Sequence, residues 1–305
     1  MAAVRVCGAL LVALVAGGCR TLPEGACCWS VDGRPLFAPA PDAAARERME
    51  ADLARAQAAL AAAPHDRDAA IWVGRRLGYL GRYREAIDVY SEALLDHPGD
   101  PFLLRHRGHR WITLHEFGRA ADDLERAAEA CRTVPDETEP DGQPTPGRPP
   151  HSTLHFNVYY HLGLALFLCG DLELAERAWL RCLAVVANDE SRVAVSHWLW
   201  CVRMRAGDPA GAAAVIAPIA ADMDVVENRS YHQLCLFYAG KLRREAIVAP
   251  AGSAGAALAF GLAHHALVLG DRMRARRELQ ALVPSAAWPA FGVLAAEVEL
   301  ARLGH

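Results

Sequence analysis

Residues 105–117, RHRGHRWITLHEF, bring three histidines and three arginines into thirteen positions. Histidine titrates near neutrality and is the commonest metal ligand, while arginine is built to grip phosphates and carboxylates. The stretch could therefore serve a metal site, a catalytic base or a nucleic-acid contact. Enzyme motifs elsewhere in the chain are incomplete. His115 and Glu116 begin an HExxH-like spacing, but Arg119 stands where the second histidine belongs. AGSAG at 251–255 has Ala251 in place of the first glycine of a nucleophile elbow, and no strand precedes it. No phosphate loop is present. A formal net charge of −4 gives no basic excess to displace counterions from a phosphate backbone, which argues against nucleic acid as a partner. The nine cysteines include no CxxC pair and form neither a zinc-knot nor a small disulfide framework. No catalytic residue, metal site or cofactor is assigned, and the chain reads as a non-enzyme.

The elements that must carry these side chains are helices. With 305 residues, 53% of them hydrophobic and 22% charged, the chain can bury a large core. From Asp42 onward, alanine-rich amphipathic segments are broken at intervals by Gly or Pro, the pattern of an all-α domain over 42–305.

One segment carries a more specific signal: AAIWVGRRLGYLGRYREAIDVYSEALLDHP, residues 69–98. Numbered from Arg67, it places Gly74 at position 8, Gly81 at 15, Tyr83 at 17, Ala86 at 20, Tyr90 at 24, Ala93 at 27 and Pro98 at 32. This resembles the tetratricopeptide repeat, a helix–turn–helix unit of 34 residues. Small residues are needed where its two antiparallel helices cross, and aromatic residues fill the hollow beside the crossing. Ala70 and Leu77 replace the tryptophan and tyrosine usual at positions 4 and 11. The register continues from Pro101 with Gly108, Trp111, Phe117, Ala120, Leu124 and Ala127, and again with Tyr159, Leu162, Gly163, Leu166, Gly170, Ala175, Trp179 and Cys182. A fourth unit is marked by Leu199, Gly207, Ala212 and Ile216, a poor fifth by SYHQLCLFYAGKLRREAI at 230–247, and a sixth by Leu262, Gly270, Ala275 and Leu279. The resemblance implies an all-α right-handed superhelix of antiparallel helix pairs, with residues 42–63 and 288–303 as capping helices.

Three other segments interrupt that pattern. Residues 1–19 hold Arg5, an apolar run from Val6 to Ala16 and AGGC ending at Cys19. The run is short for a membrane span and reads as a targeting segment. Small residues before a cysteine resemble the bacterial lipoprotein signal, which implies lipidation of Cys19 and anchoring in the cell envelope. Arg20 after the cysteine is not the aspartate associated with inner-membrane retention, so the outer membrane is favoured. An ordinary cleaved signal with a coincidental cysteine is the alternative. Residues 20–41 hold four prolines and read as a tether; Cys27 and Cys28 within it are adjacent, so each is free or paired to another chain. Residues 133–152 hold six prolines and break the repeat register. An insertion of this length is either functional or floppy, and the prolines favour an extended strap over the mouth of the groove.

In the first helix of each unit, positions 4, 7, 8 and 11 face the core, and positions 2, 6, 9 and 13 point the opposite way. That opposite face lines the groove of such a superhelix. Position 6 reads Trp72, His106, His161, Trp198, His232 and Gly261; position 9 reads Arg75, His109, Leu164, Cys201, Cys235 and His264. Arg105, Asn157, Tyr160, His197, Asn228 and Tyr231 stand beside them. The histidine-rich stretch is thus one rung of a ladder. The expected ligand groove comprises Trp72, Arg105, His106, His109, Asn157, Tyr160, His161, His197, Trp198, Tyr231, His232 and His264. His106, His161 and His232 are expected to be accessible, with Trp111 and Trp179 in the core. A merely solvated face would be laced with Lys/Glu pairs, whereas His, Trp, Tyr and Asn suit hydrogen bonding and stacking. Two function classes follow. One is a lipid-anchored, envelope-facing scaffold that binds a peptide or protein partner. The other is a metal- or small-molecule-binding protein, with hydrolysis conceivable, that uses the histidines; it is disfavoured by the scarcity of carboxylates on this face.

Overall fold

The computed structural model describes residues 21–143 and 145–304. The leader and Cys19 lie outside the described residues. The chain is an all-α solenoid of helix pairs stacked in sequence order. Asp42 caps helix α1 (Ala43–Ala62), Asp66 caps α2 (Arg67–Tyr79) and Asp100 caps α4 (Pro101–Thr113), each side chain accepting a hydrogen bond from a first-turn amide. Helix α2 pairs with α3 (Tyr83–Asp96), and α4 with α5 (Phe117–Ala130). Thr153 caps α6 (Leu154–Cys169), which pairs with α7 (Leu172–Ala184); α8 (Asp189–Arg205) pairs with the shorter α9 (Pro209–Ile216).

Close approach within each of the first three pairs rests on one glycine. A Cβ on Gly74 would lie 2.3 Å from the Tyr90 ring, one on Gly108 2.7 Å from Leu124, and one on Gly163 2.4 Å from Trp179. Position 8 of each of these three units therefore meets position 24 of the same unit. Trp179 also stacks on Trp198 at 5.5 Å, and both are fully buried, so the aromatic filling runs from one pair into the next.

The repeat decays toward the C-terminus. Helix α10 (Arg229–Tyr238) is followed by a single 3-10 turn at Arg244–Ala246 instead of a second helix. Helices α11 (Gly252–Val268) and α12 (Arg272–Leu282) restore one pair. The last helix, α13 (Phe291–Gly304), does more than cap them. It packs on α11 and α12 and also reaches α6, and Phe291 meets the rings of His109 and His161 at 5.4 and 5.6 Å. It therefore covers part of the face expected to be an open groove.

The expected tether needs a correction. Residues Ala26–Trp29 (β1) and Pro35–Phe37 (β2) pair as an antiparallel hairpin. Gly33 supplies the positive φ of the turn, and Pro35 begins an edge strand where its missing N–H costs little. Cys28 and Leu36 are buried against Tyr83, Ile87, Leu114, Trp288 and Val293. The hairpin crowds Gly81 too, where a Cβ would lie 2.4 Å from that of Ala38 and φ is +77°. Proline content concealed a short strand pair that burial of Cys28 and Leu36 stabilises.

The insertion at 133–152 is strapped down. Glu139 N–H donates to Ser152 O and Leu154 N–H to Glu137 O, closing its base. Arg75 holds the Pro140 carbonyl at 2.7 Å, and Arg148 forms a two-pronged pair with Asp224 at 2.6 Å.

Candidate functional site

Glu139, midway along the strap, reaches down between α4 and α6. Its carboxylate lies 3.2 Å from the Arg105 guanidinium and 3.4 Å from His106 Nε2, and accepts a hydrogen bond from Asn157 Nδ2. Burial alone would raise its pKa, but the charge of Arg105 and the hydrogen bonds from His106 and Asn157 outweigh that and hold the carboxyl at about 2. Arg105 donates to His106 Nδ1 at 2.9 Å, so His106 carries its proton on Nε2 and donates it toward Glu139. Burial and the neighbouring Arg105 charge push this imidazole down to about 3, which keeps it neutral. The carboxylate that seemed scarce on this face is thus supplied by the insertion.

The strap divides what would have been one groove into two clefts. The smaller, about 200 Å³, is bounded by Trp72, Arg75, Phe102 and His106 under residues 137–140. Arg75 and Arg76 stack over the Trp72 ring at 4.7 and 5.0 Å, so that indole is already occupied. The larger, about 300 Å³, opens between the far side of the strap and helices α6, α8 and α10, with Phe291 of α13 at one wall. Phe156, Asn157, Tyr160 and His161 come from α6, Ser191 and Ala194 from α8, and Asn228 and Tyr231 from the start of α10. Trp198 Nε1 donates to the Tyr160 hydroxyl at 2.9 Å, which in turn faces the Tyr231 hydroxyl at 3.4 Å. That chain fixes both tyrosine rings at the cleft.

Of the twelve expected groove residues, Asn157, Tyr160, His161 and Tyr231 line this larger cleft, and Trp72 and His106 line the smaller one. Arg105 is committed to Glu139. The expectation of an accessible ladder is otherwise corrected, save that His109 and His232 stay half-buried. His106 and His161 are 6% and 5% exposed, and His197, Trp198 and His264 are fully buried. His109 stacks on His161 at 4.5 Å between ring centres. His197 packs on Tyr231 and faces the Tyr238 hydroxyl at 3.3 Å; His264 Nε2 donates to Cys201 O, and His232 Nε2 to Ala220 O. Their partners come from α13 and from neighbouring helices, which close over the inner face. Trp179 is core as expected, while Trp111 is only partly buried, with Arg119 over its ring. Among the described residues no group of three or more His, Cys, Asp or Glu side chains could hold a metal ion. The histidines stack and donate to carbonyls instead of converging.

Sequence reasoning missed Phe291, Glu139, Asp141 and Glu227 as cleft residues. None carries a repeat signature, and only the register break at 133–152 pointed toward two of them.

No protein-family model matches the chain, and no curated protein matches its sequence. Solved structures do share the fold. A tetratricopeptide repeat protein from Parabacteroides merdae superposes with a TM-score of 0.50 at 16% identity, over 86% of this chain and 95% of that one. PilW, a widely conserved type IV pilus biogenesis factor, gives 0.48 at 16% identity, over 78% of this chain and 86% of its own. YrrB, a tetratricopeptide repeat protein with an unusual peptide-binding site, gives 0.43 at 15% identity, over 74% and 97%. At 16% identity the likeness to the Parabacteroides merdae protein is one of fold, and the fold is that of tetratricopeptide repeats.

Proposed function

We propose that the protein is an envelope-facing, lipid-anchored scaffold that holds a peptide or protein partner at the cleft between the strap and helices α6, α8 and α10. The observation that carries this reading is the cleft itself. The strap and α13 cover part of the inner face, and the larger cleft beside them is a concave surface in which the rings of Phe156, Tyr160, Tyr231 and Phe291 stand among polar side chains, a mixture of stacking and hydrogen-bonding groups that suits a polypeptide ligand. The anchor rests on the AGGC sequence ending at Cys19. No helix among the described residues is long and apolar enough to cross a membrane. The histidine-based metal reading loses its support, because the rings are spent on stacking and on carbonyl partners.

One experiment in two arms tests the proposal. Peptides selected from a random library on the wild-type protein should lose binding to Tyr231→Ala, whose ring is partly exposed at the cleft. Selection of no peptide, or of peptides indifferent to Tyr231, would remove the scaffold reading. Expressed in a bacterium with its leader, Cys19→Ser should no longer incorporate labelled palmitate or partition with membranes. Unchanged partitioning would place the anchor elsewhere.

A further inference from the structure

The polar groups of the larger cleft are unbalanced in one direction. His161 Nδ1 lies 2.6 Å from the Asn157 carbonyl, an atom that can only accept, so Nδ1 carries the ring proton and Nε2 is left as a lone-pair acceptor. Burial, reinforced by the charge of Arg105, pushes this imidazole down to about 3, and it stays neutral at physiological pH. Only 5% of His161 is exposed, and its Nε2 has no hydrogen-bond partner among the described residues. Asn157 turns its Nδ2 toward Glu139 and Ser152, and Asn228 turns its own toward the Glu190 carbonyl, so each amide presents oxygen as its uncommitted atom.

The rim continues the pattern. Asp141 and Glu227 both line the cleft, and no lysine or arginine does. Arg148, the guanidinium on the strap nearest them in sequence, is taken by Asp224. Glu227 accepts from the Thr145 hydroxyl at 2.5 Å through Oε1, with His151 3.9 Å from its Oε2 and the Arg148 charge nearby, and Asp141 accepts from the Gln143 amide; each carboxylate keeps an oxygen with no hydrogen-bond donor among the described residues. Against these acceptors stand hydroxyls on Ser152, Ser191, Tyr160 and Tyr231, which can turn either way. The aromatic walls suit the same kind of guest. Phe156 and Tyr160 stack 5.5 Å apart and Phe291 stands 6.4 Å from Tyr160, giving ring faces that attract a cation.

We propose that this cleft receives the cationic end of an arginine or lysine side chain carried by the partner polypeptide. The inference rests on the scaffold reading above and adds the chemistry of the group recognised. A guanidinium or ammonium supplies donors without acceptors, the complement of what His161, Asn157, Asn228, Asp141 and Glu227 leave open. A carboxylate or phosphate guest would meet two like charges at the rim.

Calorimetric titration of the full chain tests the proposal with short capped peptides that differ only at one central residue. Peptides with arginine or lysine there should bind, and the citrulline peptide, equal in shape but uncharged, should bind at least about tenfold more weakly, since charged hydrogen bonds are roughly twice as strong as neutral ones. Asp141→Asn combined with Glu227→Gln should weaken the arginine peptide about fivefold or more and leave the citrulline peptide unchanged. Asp141 is half-buried and Glu227 exposed, and each replacement keeps a side-chain oxygen to accept from Gln143 N–H or the Thr145 hydroxyl, so the variant should keep the wild-type circular dichroism and melting temperature. Equal binding of arginine and citrulline peptides, or full affinity in the double variant, would overturn the inference. Free agmatine binding as tightly as the arginine peptide would overturn its assignment to a polypeptide. If library-selected peptides bind in a Tyr231-dependent way without favouring cations, the scaffold reading stands and only this inference falls; if no peptide binds, both fall.

Discussion

At the scale of single residues, the buried histidines set the response to acid. His106, His161 and His197 are each held at about 3, chiefly by burial, while an unfolded chain protonates histidine near 6.5. Between those values the unfolded chain takes up protons that the folded chain refuses. The stability these residues lend is therefore complete above about pH 6.5 and is lost as pH falls toward 3. Glu139 acts lower: its carboxyl drops from an ordinary 4.5 to about 2, so its contribution is lost only as pH falls through that lower range. Acid weakening should begin with the histidines. Denaturant midpoints should decline steadily between about pH 7 and pH 5; a flat profile there would mean that these rings are already charged or solvated in the folded protein. Sequence periodicity grouped Asn157, Tyr160, His161 and Tyr231 on one face, and these residues do line one cleft. It could not show that His106 and His109 are covered, because the covering atoms, on Glu139 and Phe291, come from distant segments that follow no repeat.

At the scale of elements, the pairing of helices depends on the contact between positions 8 and 24. Alanine normally stabilises an exposed helix interior over glycine by about 1 kcal/mol, so the sign of the effect at Gly74 is diagnostic. A Cβ there would stand 2.3 Å from ring atoms of a Tyr90 that is 1% exposed and has no room to retreat. Gly74→Ala should destabilise by about 1–3 kcal/mol through overpacking. Adding Tyr90→Leu, which removes the ring atoms nearest that Cβ, should recover part of that loss. A Gly74→Ala protein that melts at or above the wild-type temperature would break the register. Helix pairs one to three were legible because glycine, alanine and aromatic positions recur in phase. The hairpin was not, since three or four residues per strand give too short an alternation to stand out among prolines. The missing second helix of the fifth unit left a trace in KLRREAI, 241–247, whose few apolar residues cannot form a buried stripe.

At the scale of the whole molecule, α13 turns a linear array into a closed one. In an open solenoid each unit meets only its neighbours, and stability is a sum of local terms. Here Glu297 bonds His115 at 3.0 Å across 182 positions and the Val31 amide at 3.1 Å, Arg302 holds the Phe167 carbonyl at 3.0 Å, and Glu299 pairs with Arg205. Four separated parts of the chain share one helix. The intact protein should unfold in a single transition, with fluorescence and circular dichroism coincident, and a chain ending at Ser285 should lose that coincidence and unfold in stages. Coincident transitions in the shortened chain would show that closure adds nothing to cooperativity. The final amphipathic helix was visible in the sequence, but its destination was not, because repeat logic places a last helix on the last open face. The same closure has a mechanical side. The hairpin grips the C-terminal segment through Val31 on Glu297 and through Phe37 O on the Trp288 indole at 2.6 Å, and between those two points the segment carries Phe291 at the cleft wall. A pull entering at residue 21 therefore reaches both the first repeat, through Cys27 on Arg84, and the start of the last helix beside the cleft, so tension on the N-terminal side is felt at the cleft wall.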